Sequence, residues 1–396
     1  MTECRDYLEA NFPHITFRRD WTISGKTMFQ LGECHALVDT LRYLPLSNAL
    51  RQKLLQVSLI KGAMATTAIE GNTLTEKEAL DIINNKSEIP PSRKYQETEL
   101  RNVIEAMNAI FDDVGRHNIT APIFKGLLCS FNQMVGKDLG DSYDGIPGRI
   151  RQTFVSVGNY HAPDYKHLDE ILDMFTDWLR REFHFSQKEK SDFADSLIEA
   201  IVAHVYIAWI HPFCDGNGRT ARLTEFYILL RAGFPNICSH ILSNFYNTTR
   251  SRYYQEIINA TKTRDLSAFI AYAVEGLRDG LEDVMKSVVN HQLFNAWNMT
   301  SLTTIEAIPK ASASHKERLR GIVKIFSLSQ KYTARDIIAR LYTMNGLSMK
   351  TNERNTARDI KILLEAGLLE KDGDQYSANI KALVDLLPER RPTPEE

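Results

Sequence analysis

The stretch DFADSLIEAIVAHVYIAWIHPFCDGNGRTAR (residues 192–222) decides how this chain folds. Its first half is apolar nearly all round, with Leu197, Ile198, Ile201, Val202, Val205, Tyr206, Ile207, Trp209 and Ile210. A helix of that kind is buried at the centre of a bundle. Pro212 stops it and holds His211 away from helical geometry. Glycines on both sides of Asn217 let the backbone curl so that N–H groups converge. A second helix then starts near Gly218 and ends at Gly233, with Pro235 just beyond. Arg219 and Arg222 stand three apart on its first turn, where cations oppose the helix dipole. Such a rule broken twice in one place points to an anion that neutralises the site. Two arginines and a nest of amides can grip a polyphosphate. Asp215 offers a hard oxygen to a magnesium ion bridging those phosphates, and His211 is a proton acceptor at neutral pH. The plainer alternative is a glycine-rich turn with one hydrogen-bonded histidine and two solvated arginines.

Outward from this stretch the pattern is helical. Residues 50–70 carry Leu54, Leu55, Leu59 and Ala63 at helical spacing and stop at Gly71. Thr75 with Glu78 is a capping box for a helix ending near Asn84. SEIPPSRK (87–94) is a loop. Helices are expected over 96–114, 121–135, 168–182, 250–262 and 266–291. Between 141 and 163 the pattern breaks, and RIRQTFVSVGNY (149–160) reads as a short strand or hairpin. Residues 298–316 are small and polar and read as a linker.

Beyond it the character changes. Residues 315–371 hold twelve Lys/Arg against six Asp/Glu, a local charge of +6 that leaves -8 for the rest. Three helices (317–328, 333–344, 355–366) and a hairpin in LLEKDGDQYSA, with Asp372-Gly373 at its tip, outline a winged helix. Lys350, Arg354, Arg358 and Lys361 lie on or beside its recognition helix, diluted by Glu353, Asp359 and Glu365. Both DNA and protein therefore remain open as its partner. The expected division is a helical N-terminal region (1–95), a core (96–297), the linker (298–316), a winged-helix domain (317–388) and a disordered tail, ERRPTPEE (389–396).

The 396 residues suit two or three domains of about 150 each. The apolar share of 43% and charged share of 25% exclude a disordered or collagen-like chain. A net charge of -2 excludes a polycation built throughout for nucleic acid. Five scattered cysteines, with no CxxC, fit a reducing compartment. The N-terminal MTECRDYLEANF lacks the apolar run of a signal peptide, so the expectation is cytoplasmic. The longest apolar run, 197–210, is broken by Glu199 and His204 and is read as too short and polar to span a bilayer, so no membrane partner is expected.

The string from His211 to Arg222 resembles the HPFxDGNGRxxR motif of the Fic family at every specified position, and the likeness extends over about 50–291. The resemblance implies a mainly α fold: a Fic-type helical bundle with a small β-hairpin flap, here followed by the winged helix. It implies an adenylyltransferase that moves AMP from ATP to a protein hydroxyl. By matching positions, His211 would be the general base, Asp215 would hold Mg²⁺, Gly216, Asn217 and Gly218 would cradle phosphates, and Arg219 and Arg222 would grip their far end. Doc-type relatives carry a lysine at the position of Gly218 and transfer phosphate instead; the glycine keeps the triphosphate path open.

Thr66-Thr67-Ala68-Ile69-Glu70-Gly71-Asn72 resembles the family's inhibitory signature (S/T)xxxE(G/N), with Thr66 and Glu70 in register. Glu70, an anion at a helix C-terminus, and Arg222, a cation at a helix N-terminus, each supply what the other's helix end lacks. The resemblance implies an intramolecular inhibitory helix that keeps Arg222 from the γ-phosphate, and it permits removal of AMP by the same glutamate. Thr153, Phe154, Val155, Ser156 and Val157, after the GxxR of Gly148–Arg151, resemble the family's flap. A flap edge docks an extended target segment by strand addition. Tyr253-Tyr254 resembles a tyrosine pair by the adenine, Tyr254 being the contact. The asparagine that follows in relatives is Thr261 here, which leaves the choice of base open. Self-modification and a homodimer are further expectations. The rival readings are other nucleotidyl or phosphoryl transfer at the same site, and a DNA-binding regulator with a vestigial core.

Overall fold

The computed structural model describes residues 2–381, apart from positions 45, 47, 185–191, 236, 239, 328–329 and 346–348. It divides into two compact units, Met1–Asp283 and Val284–Glu396. In the first unit the elements are α1 (Thr2–Asn11), α2 (Gly25–Tyr43), α3 (Asn48–Ala68), α4 (Glu76–Ile83), α5 (Lys94–Phe111), α6 (Lys125–Gly136), the strands β1 (Ser156–Val157) and β2 (Tyr160–His161), α7 (Leu168–Glu182), α8 (Phe193–Ile210), α9 (Asn217–Arg231), α10 (Ile241–Thr248) and α11 (Arg250–Thr263). The helix α12 (Ser267–Ala307) crosses the division.

The bundle is built round α8. Asp192 caps it, accepting from the N–H of Ala194 at 2.9 Å and of Asp195 at 3.1 Å. Burying its all-round apolar surface against α2, α7 and above all α9 is what makes this helix form. By length and hydropathy α8 could cross a membrane, contrary to the sequence expectation, but it is largely buried inside the bundle. Its one buried acid, Glu199, is paired with Arg231 at the end of α9 at 2.5 Å. The other side of α9 meets α5 and α6, and α3 lies across α5, α9 and α10. The helices α3, α5 and α6 thus pack on α9, the helix that follows the loop after α8.

The capping box before α4 is formed in both directions: Thr75 Oγ1 accepts from the Glu78 N–H at 3.2 Å, and Glu78 accepts from the Thr75 N–H at 2.8 Å. Other expectations shift. The helix expected from 121 begins only at Lys125, because the Ala121 N–H and carbonyl are taken by the Tyr227 hydroxyl. The helix expected to 114 ends in a wider turn, Asp112–Arg116. The hairpin in 149–160 is reduced to two residues per strand, with Ser156 opposite His161 and Val157 opposite Tyr160.

The second unit holds α13 (Ala313–Val323), β3 (Tyr332–Thr333), α14 (Ala334–Asn345), α15 (Met349–Glu365), β4 (Leu369–Asp372) and β5 (Gln375–Ala378), with the antiparallel strands in the order β3-β5-β4. Three helices and a hairpin match the sequence outline; β3 is an addition. The hairpin tip is Gly373-Asp374, one residue later than expected, since Asp372 pairs with Gln375 and Gly373 takes φ +63°.

The linker expectation for 298–316 is wrong over most of its length. Residues 298–307 continue α12 and 313–316 open α13. Trp297, Ser301 and Ile305 recur every fourth residue and are buried, two of them in the core of this unit with Leu319, Ile322, Ile337, Ile360 and Leu363. The Trp297 indole N–H donates to the Leu368 carbonyl at 2.8 Å. The expected tail (389–396) and the last residues of the expected winged-helix domain (382–388) lie outside the described residues.

Candidate active site

His211 terminates α8 in the left-handed region (φ 50°, ψ 59°), its N–H still bonded to the Ile207 carbonyl. Its ring Nδ1 faces the Ala208 carbonyl at 3.3 Å. Nδ1 therefore carries the proton, and Nε2 is left with a lone pair. Burial pushes the imidazole pKa down to about 4; the Ala208 contact, Glu70 and Asp215 oppose this only partly, and Arg151 adds to it. The ring is neutral at pH 7.

Arg151 fixes the loop from behind. Its guanidinium donates to the carbonyls of His211 (2.8 Å), Thr153 (2.7 Å) and Pro163 (2.5 Å), and its N–H to that of Pro212 (3.0 Å). One buried arginine thus joins the histidine to the base of the hairpin. Asn132 and Tyr143 hold the other side. Both donate to the Asp215 carbonyl, at 2.9 and 2.7 Å, and the Asn132 oxygen receives the Tyr143 hydroxyl and the Gly148 N–H.

The structure divides the glycine-rich loop differently from the sequence reading. Asn217 does not offer its side chain to a ligand: its amide pairs both ways with the Phe213 backbone, at 2.9 and 2.8 Å, and closes the loop. The Gly216 N–H is taken by the Asp215 carboxylate. Gly216 takes φ +74°, which turns the chain into α9. The N–H groups of Asn217, Gly218 and Arg219 open that helix with no intrahelical acceptor, as any first turn does. Three free amides at a helix N-terminus are suited to an anion.

The two arginines behind it are buried and held by carboxylates. Arg222 donates through one nitrogen to Glu70 at 2.6 Å and to the Thr66 carbonyl at 2.9 Å. Burial alone would push the Glu70 carboxyl up and the Arg222 guanidinium down. Their mutual attraction wins, with Glu70 held below its ordinary value and Arg222 above. Glu70 is about a third exposed (34%), so the pair sits at the mouth of the site. Its carboxylate lies directly over Gly218, where a Cβ would collide with it. Thr66 contributes its backbone carbonyl. Arg219 spans Glu99 at 2.7 Å and Asp215 at 2.9 Å and lies on the Tyr143 ring. The Nε–H groups of Arg219 and Arg222 are buried with no hydrogen-bond partner among the described residues. Orphaned donors on two buried cations suit an incoming anion.

Asp215 is half-exposed. Among the described residues no three His, Cys, Asp or Glu side chains are grouped to hold a metal by themselves. A single carboxylate fits magnesium, which is commonly held by one or two carboxylates together with substrate phosphates and water. Tyr254 stands beside the Thr66–Asn72 segment, its hydroxyl donating to the Ile69 carbonyl at 3.2 Å. Tyr253 is buried on His204 at 2.8 Å, and Thr261 accepts from the Trp209 indole at 2.8 Å. On the hairpin side, Phe154 (70% exposed) and Val157 present apolar surface, Thr153 and Ser156 are exposed, and Val155 is half-buried.

The sequence reading therefore found His211, Asp215, Gly218, Arg219, Arg222 and Glu70 together. It missed Glu99, Asn132 and Tyr143. Glu99 meets Arg219 across 120 positions, and no local anomaly marks an acid in mid-helix. A buried Asn in an apolar helix was the one available signal, at Asn132.

Residues 122–229 match the model of the Fic/DOC family. Protein adenylyltransferase fic-1 of Caenorhabditis briggsae is 29% identical over 250 residues, 62% of this chain and 45% of that protein. Its namesake from Caenorhabditis elegans is 29% identical over 245 residues, 62% of this chain and 44% of that protein. The chain thus spans less than half the length of these relatives. A Fic family protein from Desulfovibrio desulfuricans G20 superposes with a TM-score of 0.55 over 91% of this chain and 98% of its own, at 20% identity.

Proposed function

We propose that this chain, whose residues 122–229 form a Fic/DOC-family domain, is an autoinhibited protein adenylyltransferase that moves AMP from ATP to a hydroxyl side chain of a target protein, itself included. In the reaction the target oxygen attacks the α-phosphorus. The new O–Pα bond forms as the Pα–O–Pβ bond breaks, pyrophosphate leaves with the electron pair, and the hydroxyl proton passes to His211 Nε2. The opening amides of α9 and the guanidinium of Arg219 receive the phosphates, and Arg222 receives the far end once Glu70 withdraws. Asp215 would hold a magnesium ion, whose charge would neutralise the phosphates. The short hairpin, with Thr153 to Val157 on its accessible side, is the docking edge for the target segment.

The observation that carries this reading is the pair of buried arginines at the start of α9, each with an orphaned Nε–H, one of them capped by an acid from α3's C-terminus. The large majority of buried side-chain donors are satisfied within the fold, so two orphaned guanidinium donors side by side at one helix start mark the place. The test is a Glu70→Gly variant incubated with Mg²⁺ and ATP labelled at either the α- or the γ-phosphorus. Label should enter protein from the α position only. Transfer from the γ position would make this a phosphoryl transferase, and no transfer from either would end the enzymatic reading.

A second reading attaches to the second unit, which we take as a winged helix able to contact duplex DNA. It is supported by one change from the sequence picture. Asp359, counted there against a basic face, is buried under α15, where it binds Arg318 and His315 at 3.0 Å each. Arg354, Arg358 and Lys361 stay exposed.

A further inference from the structure

We propose that Glu99 is a positioning residue that ties the two arginine clamps together, one carboxylate oxygen aiming Arg219 and the other holding the end of the inhibitory segment through Asn72. The proposal rests on the adenylyltransferase reading and concerns how that site is kept shut and kept in shape.

Glu99 Oε1 accepts from Arg219 Nη1 at 2.7 Å, and Oε2 accepts from Asn72 Nδ2 at 3.2 Å. Asn72 follows Glu70 by two residues. The same Nδ2 also donates to the Gln96 carbonyl at 2.9 Å, while the Gln96 side-chain oxygen receives the N–H (3.3 Å) and hydroxyl (3.2 Å) of Thr73. The segment after Glu70 is therefore stapled to α5. That helix packs on α3, α4, α6 and α9 and is part of the bundle, not of the inhibitory end. Glu99 itself stays put when Glu70 withdraws, but it loses one of its donors. Its other oxygen sits on a guanidinium that is 3% exposed and whose second nitrogen already holds Asp215.

Two opposite effects follow. Removing the Asn72 amide frees the inhibitory end and leaves Arg219 aimed. Removing the Glu99 charge leaves Asp215 as the remaining carboxylate on Arg219, so the guanidinium is drawn onto Asp215 and off the phosphates. Asn72 is half-buried in a loop and its truncation is tolerable to the fold. Glu99→Gln keeps the shape and an acceptor oxygen.

The experiment uses the full chain. In Asn72→Ala, amide hydrogen exchange over residues 66–73 should quicken, and AMP transfer should rise by about threefold, the scale of one hydrogen bond of ordinary strength. Added to Glu70→Gly, the same substitution should give no further gain. In Glu70→Gly/Glu99→Gln, ATP affinity by calorimetry and KM for ATP should weaken by about tenfold against Glu70→Gly, with kcat changing less. Unchanged exchange at 66–73 in Asn72→Ala, or undiminished ATP affinity in the Glu99→Gln double variant with its melting temperature intact, overturns the proposal. Should Glu70→Gly itself transfer nothing, the adenylyltransferase reading fails, and the exchange and calorimetry arms still decide the Glu99 tie.

Discussion

Burial sets what His211 can do. A solvated imidazole would be half protonated near pH 6.5 and lose much of its usefulness as a base below that. Here burial brings the pKa to about 4, and the Ala208 carbonyl claims the Nδ1 proton, so Nε2 is free at any physiological pH. The folded state binds fewer protons at this site than the unfolded chain does between about 4 and 6.5. The stability it contributes is intact above about 6.5 and is lost as pH falls through that window. His211→Ala should remove that share of the acid sensitivity, visible as a shallower fall of melting temperature between pH 6.5 and 4. In the Glu70→Gly background the same substitution should reduce AMP transfer by at least about 10²-fold, the scale of a lost proton acceptor, with ATP affinity unchanged. An acid limb of kcat/KM near pH 6.5 that disappears in the Ala variant would show the ring to be solvated and the burial argument wrong. The residue itself was legible because Pro212 and the glycines mark an abnormal helix end. Its protonation state was not, since the carbonyl and Arg151 that set it come from the fold.

At the scale of elements, two helix ends with the wrong charge meet. Glu70 at the C-terminus of α3 and Arg222 at the N-terminus of α9 each oppose their own dipole and satisfy the other, across 152 positions. Such local violations are readable in a sequence because they are local; which ends meet is not, and here a family motif supplied the pairing. Where no anomaly exists, reading failed in the other direction. The 298–307 segment has the small polar composition of a linker, yet Trp297, Ser301 and Ile305 at four-residue intervals already trace a buried stripe that average polarity hides. The latch makes an ordered prediction. Glu70→Gly should raise AMP transfer by about 10- to 100-fold, equivalent to a latch of about 1.4–2.8 kcal/mol. Arg222→Ala should stay low although it breaks the same pair, because the phosphates need that guanidinium, and the double variant should behave as Arg222→Ala. Assays at saturating and limiting Mg²⁺-ATP, on variants whose circular dichroism matches the parent, check the order. Equal activation by both single substitutions would mean that Arg222 serves only to hold Glu70.

At the scale of the whole molecule, charge is unevenly shared. The chain carries -2 in total, but residues 315–371 carry +6 and the remainder -8. The positive excess therefore lies in the second unit, which is where a long polyanion such as duplex DNA would be drawn. Within that unit the buried Asp359, bonded to Arg318 and His315, anchors α15. Its outward positions 354, 358 and 361 are four and three residues apart, one helical stripe of exposed cations. Lys361 also lies 3.7 Å from Glu365, an exposed pair of the kind worth little in water. Three phosphate contacts from this stripe would give log K a slope of about -2.7 against log salt, a loss of about 40-fold between 50 and 200 mM. A mobility-shift series with the full chain on a mixed-sequence duplex tests this. Arg358→Ala should weaken binding on all sequences alike and reduce the slope by about one. The same variant should leave AMP transfer by Glu70→Gly unchanged, since the residues proposed to carry that transfer, His211 to Arg222, lie in the first unit and Arg358 in the second. Binding that ignores salt, or a slope untouched by losing Arg358, would remove DNA from this face and leave a protein as its partner.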